Sequence, residues 1–267
     1  MKILVLVKQV PDSTQITVDP VTGTLVRDGV PAIINPDDLA GIEAALQLKD
    51  ANPDIEIDVL TMALPSAKGM LKEILARGAD KAYLLTDRRL GGSDTCATSR
   101  AIAAAAKKIG YDLIIGGRQA IDGDTAQVGP QTAERLGIPQ ITYVDQIIEL
   151  TNEKVTVKKA LEEEEQILSA KLPVLLTTLT GMNKPRYMNC CDIVDVVADD
   201  SRVITMTFDD LEGVDVTTVG LKGSPTNVKR TFTKEVSAET TTYSDFTAQQ
   251  TAEFIAKTLK EKQLITK

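Results

Sequence analysis

Histidine and tryptophan are both absent from the 267 residues. Without histidine the chain cannot form a serine–histidine or cysteine–histidine catalytic pair, nor hold a metal through imidazole. Cysteine is sparse. Cys96, Cys190 and Cys191 have no C-x-x-C spacing, which points away from a disulfide framework or zinc site and towards a reducing, cytoplasmic setting. Positive charge is in deficit: the net charge of −8 disfavours nucleic acid as the main partner, since phosphate-backbone binding needs a basic excess. Long apolar runs are missing too. The run at 3–7 is five residues between Lys2 and Lys8, which reads as a buried strand rather than a signal peptide, and nothing approaches the ~18 residues of a membrane span. No Gly-x-Gly-x-x-Gly follows that first strand, which disfavours an ordinary dinucleotide-binding dehydrogenase. Any chemistry then falls to a bound cofactor or to a partner.

What is present is a 43% apolar chain in which short apolar runs alternate with helical patterns. Strands are expected at 3–7, 55–62, 81–85 and 111–115. Helices are expected at 36–50 with Asn35 as N-cap, at 65–77, from Ser93 or Asp94 to Ala106, and from Asp124 or Thr125 to Leu136. Such βα repetition with apolar strands predicts an α/β fold: an open, mainly parallel, twisted sheet with helices on both faces, Rossmann-like. A β-hairpin is expected near 147–170 and a late strand of the same sheet at 172–180. The acidic run Glu162–Glu165 reads as a solvated strand end or loop. The alternation weakens after about 200, and 247–262 forms an amphipathic helix. The organisation expected is a nucleotide-binding domain over 1–235 and a C-terminal arm over 236–267.

In such sheets ligands sit beyond the strand C-termini. Three of the four loops there are dense in Gly, Asp, Ser or Thr, the densest being GGRQAIDGDTAQVGP at 116–130 and GGSDTCATS at 91–99. Backbone amides and small hydroxyls at helix starts suit phosphate or pyrophosphate. In the first loop Gly116 and Gly117 allow a tight exit from the strand, and Gly123 a close approach to a ligand. The same residues also fit a glycine-rich turn with an ordinary cap, SDTCATS fits a capped helix with small packing residues, and Asn35-Pro36-Asp37-Asp38 fits a plain helix start.

The motifs VKQVPD, VRDGVPAIINPDD (26–38), GRQAIDGDTAQVGP (117–130), LPVLLTT, KPRY and the late GSPT resemble the β subunit of electron-transfer flavoproteins, in order along nearly the whole chain. VDPVTGTLVRDG (18–29) and GGSDTCATS resemble its electron-bifurcating branch. The resemblance implies a heterodimer with an FAD-holding α subunit. The β-subunit crevice would hold a second FAD, or AMP in non-bifurcating members. It further implies that NADH gives a hydride to the β-site flavin. Its electrons then part between a flavin-dependent dehydrogenase, reached through the α-subunit FAD, and ferredoxin or flavodoxin. Implied nucleotide contacts are Leu6, Val7, Lys8, Asn35, Asp38, Met62, Ala63, Gly117, Arg118, Gln119, Ala120, Asp122, Gly123, Asp124, Thr125, Gln127, Val128 and Gly129. The bifurcating branch adds Asp94, Thr95, Thr98 and Ser99 around the pyrophosphate. Arg118 would stabilise anionic flavin, or else form a salt bridge to Asp122 or Asp124. Two departures stand out: Ala63 replaces a glycine common in the family, and MNCCDIVDVVADD lacks the lysines usual in its partner-recognition loop. A non-redox ATP-binding regulatory domain of the same architecture is the alternative of a different class.

Overall fold

A computed structural model describes residues 1–12, 17–18, 25–26, 31–227 and 242–265. The chain begins with β1 (Lys2–Leu6), the short strands β2 (Gln9–Pro11), β3 (Thr17–Val18), β4 (Leu25–Val26) and β5 (Ala32–Ile34), and helix α1 (Pro36–Ala51). There follow β6 (Glu56–Met62), α2 (Lys68–Leu75), β7 (Lys81–Leu85), α3 (Thr95–Ile109), β8 (Leu113–Gly117) and α4 (Val128–Leu136). Then come β9 (Gln140–Leu150), β10 (Lys154–Ala160), β11 (Glu165–Lys171), β12 (Val174–Thr178), α5 (Cys190–Ala198), β13 (Val203–Met206) and α6 (Ala248–Glu261).

Nine strands form one sheet in the order β11-β10-β9-β12-β8-β1-β6-β7-β13. The strands from β9 to β13 in that order run parallel, while β10 and β11 continue the β9 edge as an antiparallel meander. From β1 the chain steps outward through β6 and β7, then returns to place β8 on the other side of β1. The point between β1 and β8 is therefore the topological switch, where open parallel sheets bind their ligands.

The central strands are mainly apolar on both of their sides because both sheet faces are covered, with Asp58 and Thr61 as buried polar exceptions on β6. Ile3, Val5, Ile57, Val59, Leu113 and Ile115 pack with Ile42, Leu46, Leu71 and Ile74 of α1 and α2 on one face. Leu4, Leu60, Ile114 and Leu175 pack with Ala101, Ala105 and Ala133 of α3 and α4 on the other. At roughly 1.5–3 kcal/mol for each large aliphatic side chain buried, these layers dominate the fold's stability.

Several boundaries differ from expectation. The helix expected over 65–77 divides into a 3-10 turn, Pro65–Ala67, and α2. The stretch MNCCDIVDVVADD, read from the family as a loop, contains α5, started by the Asn189 side chain accepting from the Cys191 amide. The helix expected to begin at Asp124 or Thr125 begins at Val128, because Asp124 and Ala126 take positive φ of 48° and 52°. Asn35 makes no side-chain cap on α1. Gly137 does close α4, in the left-handed conformation at φ 67°.

The chain divides into two compact units, Met1–Thr231 and Phe232–Lys267. The boundary expected near 235, and most of the VDPVTGTLVRDG motif, lie outside the described residues. In the second unit a Thr247–Gln250 capping box starts α6. The rings of Tyr243, Phe246 and Phe254 cluster there with centroids 4.8–5.7 Å apart. Among the described residues, no helix is long and apolar enough to cross a membrane.

Candidate functional site

A cavity of about 600 Å³ opens at the C-terminal ends of β1 and β8. Its floor comes from strand ends: Leu6, Val7 and Lys8 after β1, Leu60 and Met62 on β6, and Gly116 and Gly117 on β8. One wall is the start of α3, with Asp94, Thr95, Thr98 and Ile102, preceded by Leu90, Gly92 and Ser93. The opposite wall is the loop into α4, with Arg118, Gln119, Ala120, Gly123 and residues 125–129. The volume lies within the 300–1,000 Å³ of small-molecule sites.

Asp38, in the first turn of α1, stitches the switch point together. Its Oδ2 accepts the Lys8 amide at 2.7 Å and its Oδ1 accepts the Gly117 amide at 2.9 Å. The carboxylate thus bonds the ends of both strands flanking the cavity. It is buried, and desolvation pushes its pKa up to about 7 against the opposing pull of the Asn35 side chain and the two amides.

Asn35 fixes the long loop rather than its own helix. Its Nδ2 donates to Gln119 O at 2.8 Å and its Oδ1 accepts the Ile121 amide at 3.1 Å, with the residue fully buried. Further along, the Gln119 side chain donates to Asp124 Oδ1 at 2.9 Å. Lys8 reaches across to Asp122 at 2.6 Å, joining the β1 loop to the opposite wall.

Arg118 forms its ion pair with neither Asp122 nor Asp124. Its Nε lies 3.5 Å from Asp37 Oδ2, buried and without a hydrogen-bond partner, while its Cζ stands 5.9 Å from the Tyr143 ring centre. Asp37 is itself held by the Thr180 amide and hydroxyl and more weakly by the Gln119 amide. On the other wall, the Asp94 carboxylate accepts from the Ala97 amide and from the Thr226 amide and hydroxyl, which hold its pKa down against desolvation. Thr95 Oγ1 bonds the Gln127 side chain at 2.8 Å, tying the two walls together.

Seventeen of the residues singled out in the sequence line this cavity. The other five do not. Asn35, Asp122 and Asp124 brace its loop from behind or at the rim, and Ala63 lies past the end of β6. Ser99 is fully buried between α3 and α4, bonding Cys96 O, Gln131 and Arg135. Sequence reasoning missed Leu60, Leu90 and Ile102, whose patterns are those of core residues, and Tyr143, whose placement depends on strand register. Among the described residues, no cluster of Cys, Asp or Glu could hold a metal ion. A second cavity of about 470 Å³ lies against α1, β9 and the Thr180–Met182 turn; its one acid, Asp145, is paired with Lys158 at 2.9 Å.

The chain matches the model of the electron transfer flavoprotein domain over residues 22–202. It is 49% identical to the electron transfer flavoprotein subunit beta of Clostridium acetobutylicum, over 99% of this chain and all of that one. It is 45% identical to the caffeyl-CoA reductase–Etf complex subunit CarD of Acetobacterium woodii, again over 99% and 100%. It is 46% identical to the acryloyl-CoA reductase electron transfer subunit gamma of Anaerotignum propionicum, over 87% and 88%.

Proposed function

Because the chain belongs to the electron transfer flavoprotein β-subunit family, we propose that its crevice binds FAD and that it works paired with an FAD-holding α subunit. With flavin bound in both subunits, the pair would take a hydride from NADH and part its electrons, one passing by way of the α subunit to a flavin-dependent dehydrogenase and the other to ferredoxin or flavodoxin. Two relatives named for caffeyl-CoA reductase and acryloyl-CoA reductase favour a CoA-thioester enzyme as the dehydrogenase.

The observation carrying this reading is that both polar walls line one cavity: the α3 start with Thr95 and Thr98, and the loop from Gly117 to Gly129. A pyrophosphate can accept hydrogen bonds from both walls at once. The group fits the residues present. Arg118 offers a buried Nε–H without a hydrogen-bond partner at the cavity, and helix starts with small hydroxyls suit phosphates. When bound, the flavin would supply both two-electron and one-electron chemistry. The chain's own contributions are separate. Asp38 and Asn35 fix the floor and loop, Thr95 and Thr98 meet phosphate oxygens, and Arg118 places positive charge beside whatever negative charge the ligand develops.

The test is Thr95→Val combined with Thr98→Val in the αβ pair. Flavin content of the β site should fall while the α site stays loaded. A double variant with both sites full would remove the α3 wall from the reading.

A further inference from the structure

Tyr143 occupies a backbone conformation that its side chain disfavours. It lies within β9 at φ 59°, the left-handed region, where a bulky residue is an outlier costing about 1–3 kcal/mol and persists only if its surroundings over-determine it. The cause is a bulge. Ile141 pairs with Leu176 and Val144 with Thr178, so Thr142 and Tyr143 together oppose Thr177, whose Oγ1 accepts the Tyr143 amide at 3.3 Å. Bulges next to functional sites re-aim side chains. This one carries the Tyr143 ring to 5.9 Å from Arg118 Cζ.

The Arg118 guanidinium thus has an aromatic ring near it and the Asp37 carboxylate 3.5 Å from its Nε. The Arg118 amide is fixed to Thr178 O at 2.9 Å, so strand β12 positions both the bulge opposite it and the root of the arginine. Asp37 makes no hydrogen bond to the guanidinium and its own oxygens are committed to Thr180 and Gln119. It pairs with the arginine in charge but leaves the orientation of the guanidinium to other contacts. One third of the Arg118 side chain stays exposed, and it lines the cavity.

We infer that Tyr143 is a positioning residue for Arg118. The bulge presents its ring as a platform that keeps the guanidinium at the crevice, where it favours the anionic, reduced form of the bound flavin. The second half of this inference rests on the flavin reading above; the first half does not.

The two halves separate experimentally. Glycine adopts positive φ without cost, so Tyr143→Gly removes the ring and spares the backbone, while Tyr143→Phe keeps the ring. On the cofactor-free full chain, the Arg118 Nε–H resonance should exchange slowly with water in the wild type and in Tyr143→Phe, and at least tenfold faster in Tyr143→Gly. Equal exchange in all three would overturn the platform. In the FAD-loaded αβ pair, Tyr143→Gly should lose threefold to tenfold of its preference for reduced over oxidised β-site flavin. For a two-electron couple that is a negative shift of about 15–30 mV, and Tyr143→Phe should stay at the wild-type value. A freed Nε–H with an unmoved potential would overturn the tuning role. A wild-type αβ pair that leaves the β site without FAD would instead sink the flavin reading, and the exchange measurement would still decide the platform.

Discussion

Gly117 donates its amide to Asp38 Oδ1 at 2.9 Å, and a Cβ built on Gly117 would stand 2.2 Å from that same oxygen. It would also lie 2.8 Å from Asp37 Cβ and from the Asp38 amide. The first turn of α1 and the end of β8 are in contact here with no space for a methyl group. Gly117→Ala should therefore destabilise the chain by about 1–3 kcal/mol, as overpacking does, and weaken ligand binding by displacing Asp38. Gly123→Ala is the control, since nothing lies within 4 Å of that position; it should stay within about 0.5 kcal/mol. Urea unfolding of both variants checks the pair, and equal stabilities would show that the contact is not tight.

Asp38 predicts an unusual pH dependence. Its folded pKa, about 7, exceeds the ordinary carboxylate value, chiefly through desolvation. Such an acid holds its proton more tightly in the folded chain. Its contribution to stability is complete below about pH 4 and is lost as pH rises through about 7. Unfolding free energy should thus fall from pH 5 to pH 7, with a contribution of up to about 1.4 kcal/mol per pH unit. Asp38→Asn should flatten that slope. An unchanged slope in the variant would assign the effect to other groups.

Arg118→Ala removes a cavity-lining cation whose buried Nε makes no hydrogen bond. A charge-assisted hydrogen bond contributes about 1.5–3 kcal/mol. The β-site flavin should become harder to reduce by tens of millivolts, with slower NADH oxidation. Arg118→Lys keeps the charge but not the planar fork, and should fall between. The comparison is made at matched flavin occupancy. A full β site with an unmoved potential in Arg118→Ala would leave the arginine as a structural partner of Asp37 alone.

The helix α6 carries exposed Phe254 and Ile255 on an otherwise polar surface, with Leu264 and Ile265 exposed just beyond it. An amphipathic helix with that apolar stripe is proposed to pack on the α subunit. Truncation after residue 240 should leave the first unit folded by circular dichroism but unable to co-elute with the α subunit in gel filtration. A truncated chain that still pairs would place the interface elsewhere.

The sheet was legible because each central strand is a short apolar run bounded by turn residues, and each helix carries its own start or stop. Asp94 does cap α3, and Gly137 does end α4. The loop at 116–130 was legible as a site but not in shape. Asp124 and Ala126 adopt left-handed backbone, conformations that loop contacts impose and local propensity does not announce, so the sequence pattern places the helix start three or four residues early. Asn35 reads as a cap from Asn-Pro spacing alone; its true partners, Gln119 and Ile121, are more than eighty residues away. The ion pair of Arg118 is hidden from the sequence for the same reason. Asp122 and Asp124 are near it in sequence, whereas Asp37 and Tyr143 reach it through the packing of α1 and the register of β9.

The central claim is that this crevice holds a flavin dinucleotide. It is tested most directly by releasing and counting the nucleotides of the purified αβ pair. The account predicts two FAD molecules per pair and no AMP. One FAD together with one AMP would contradict it.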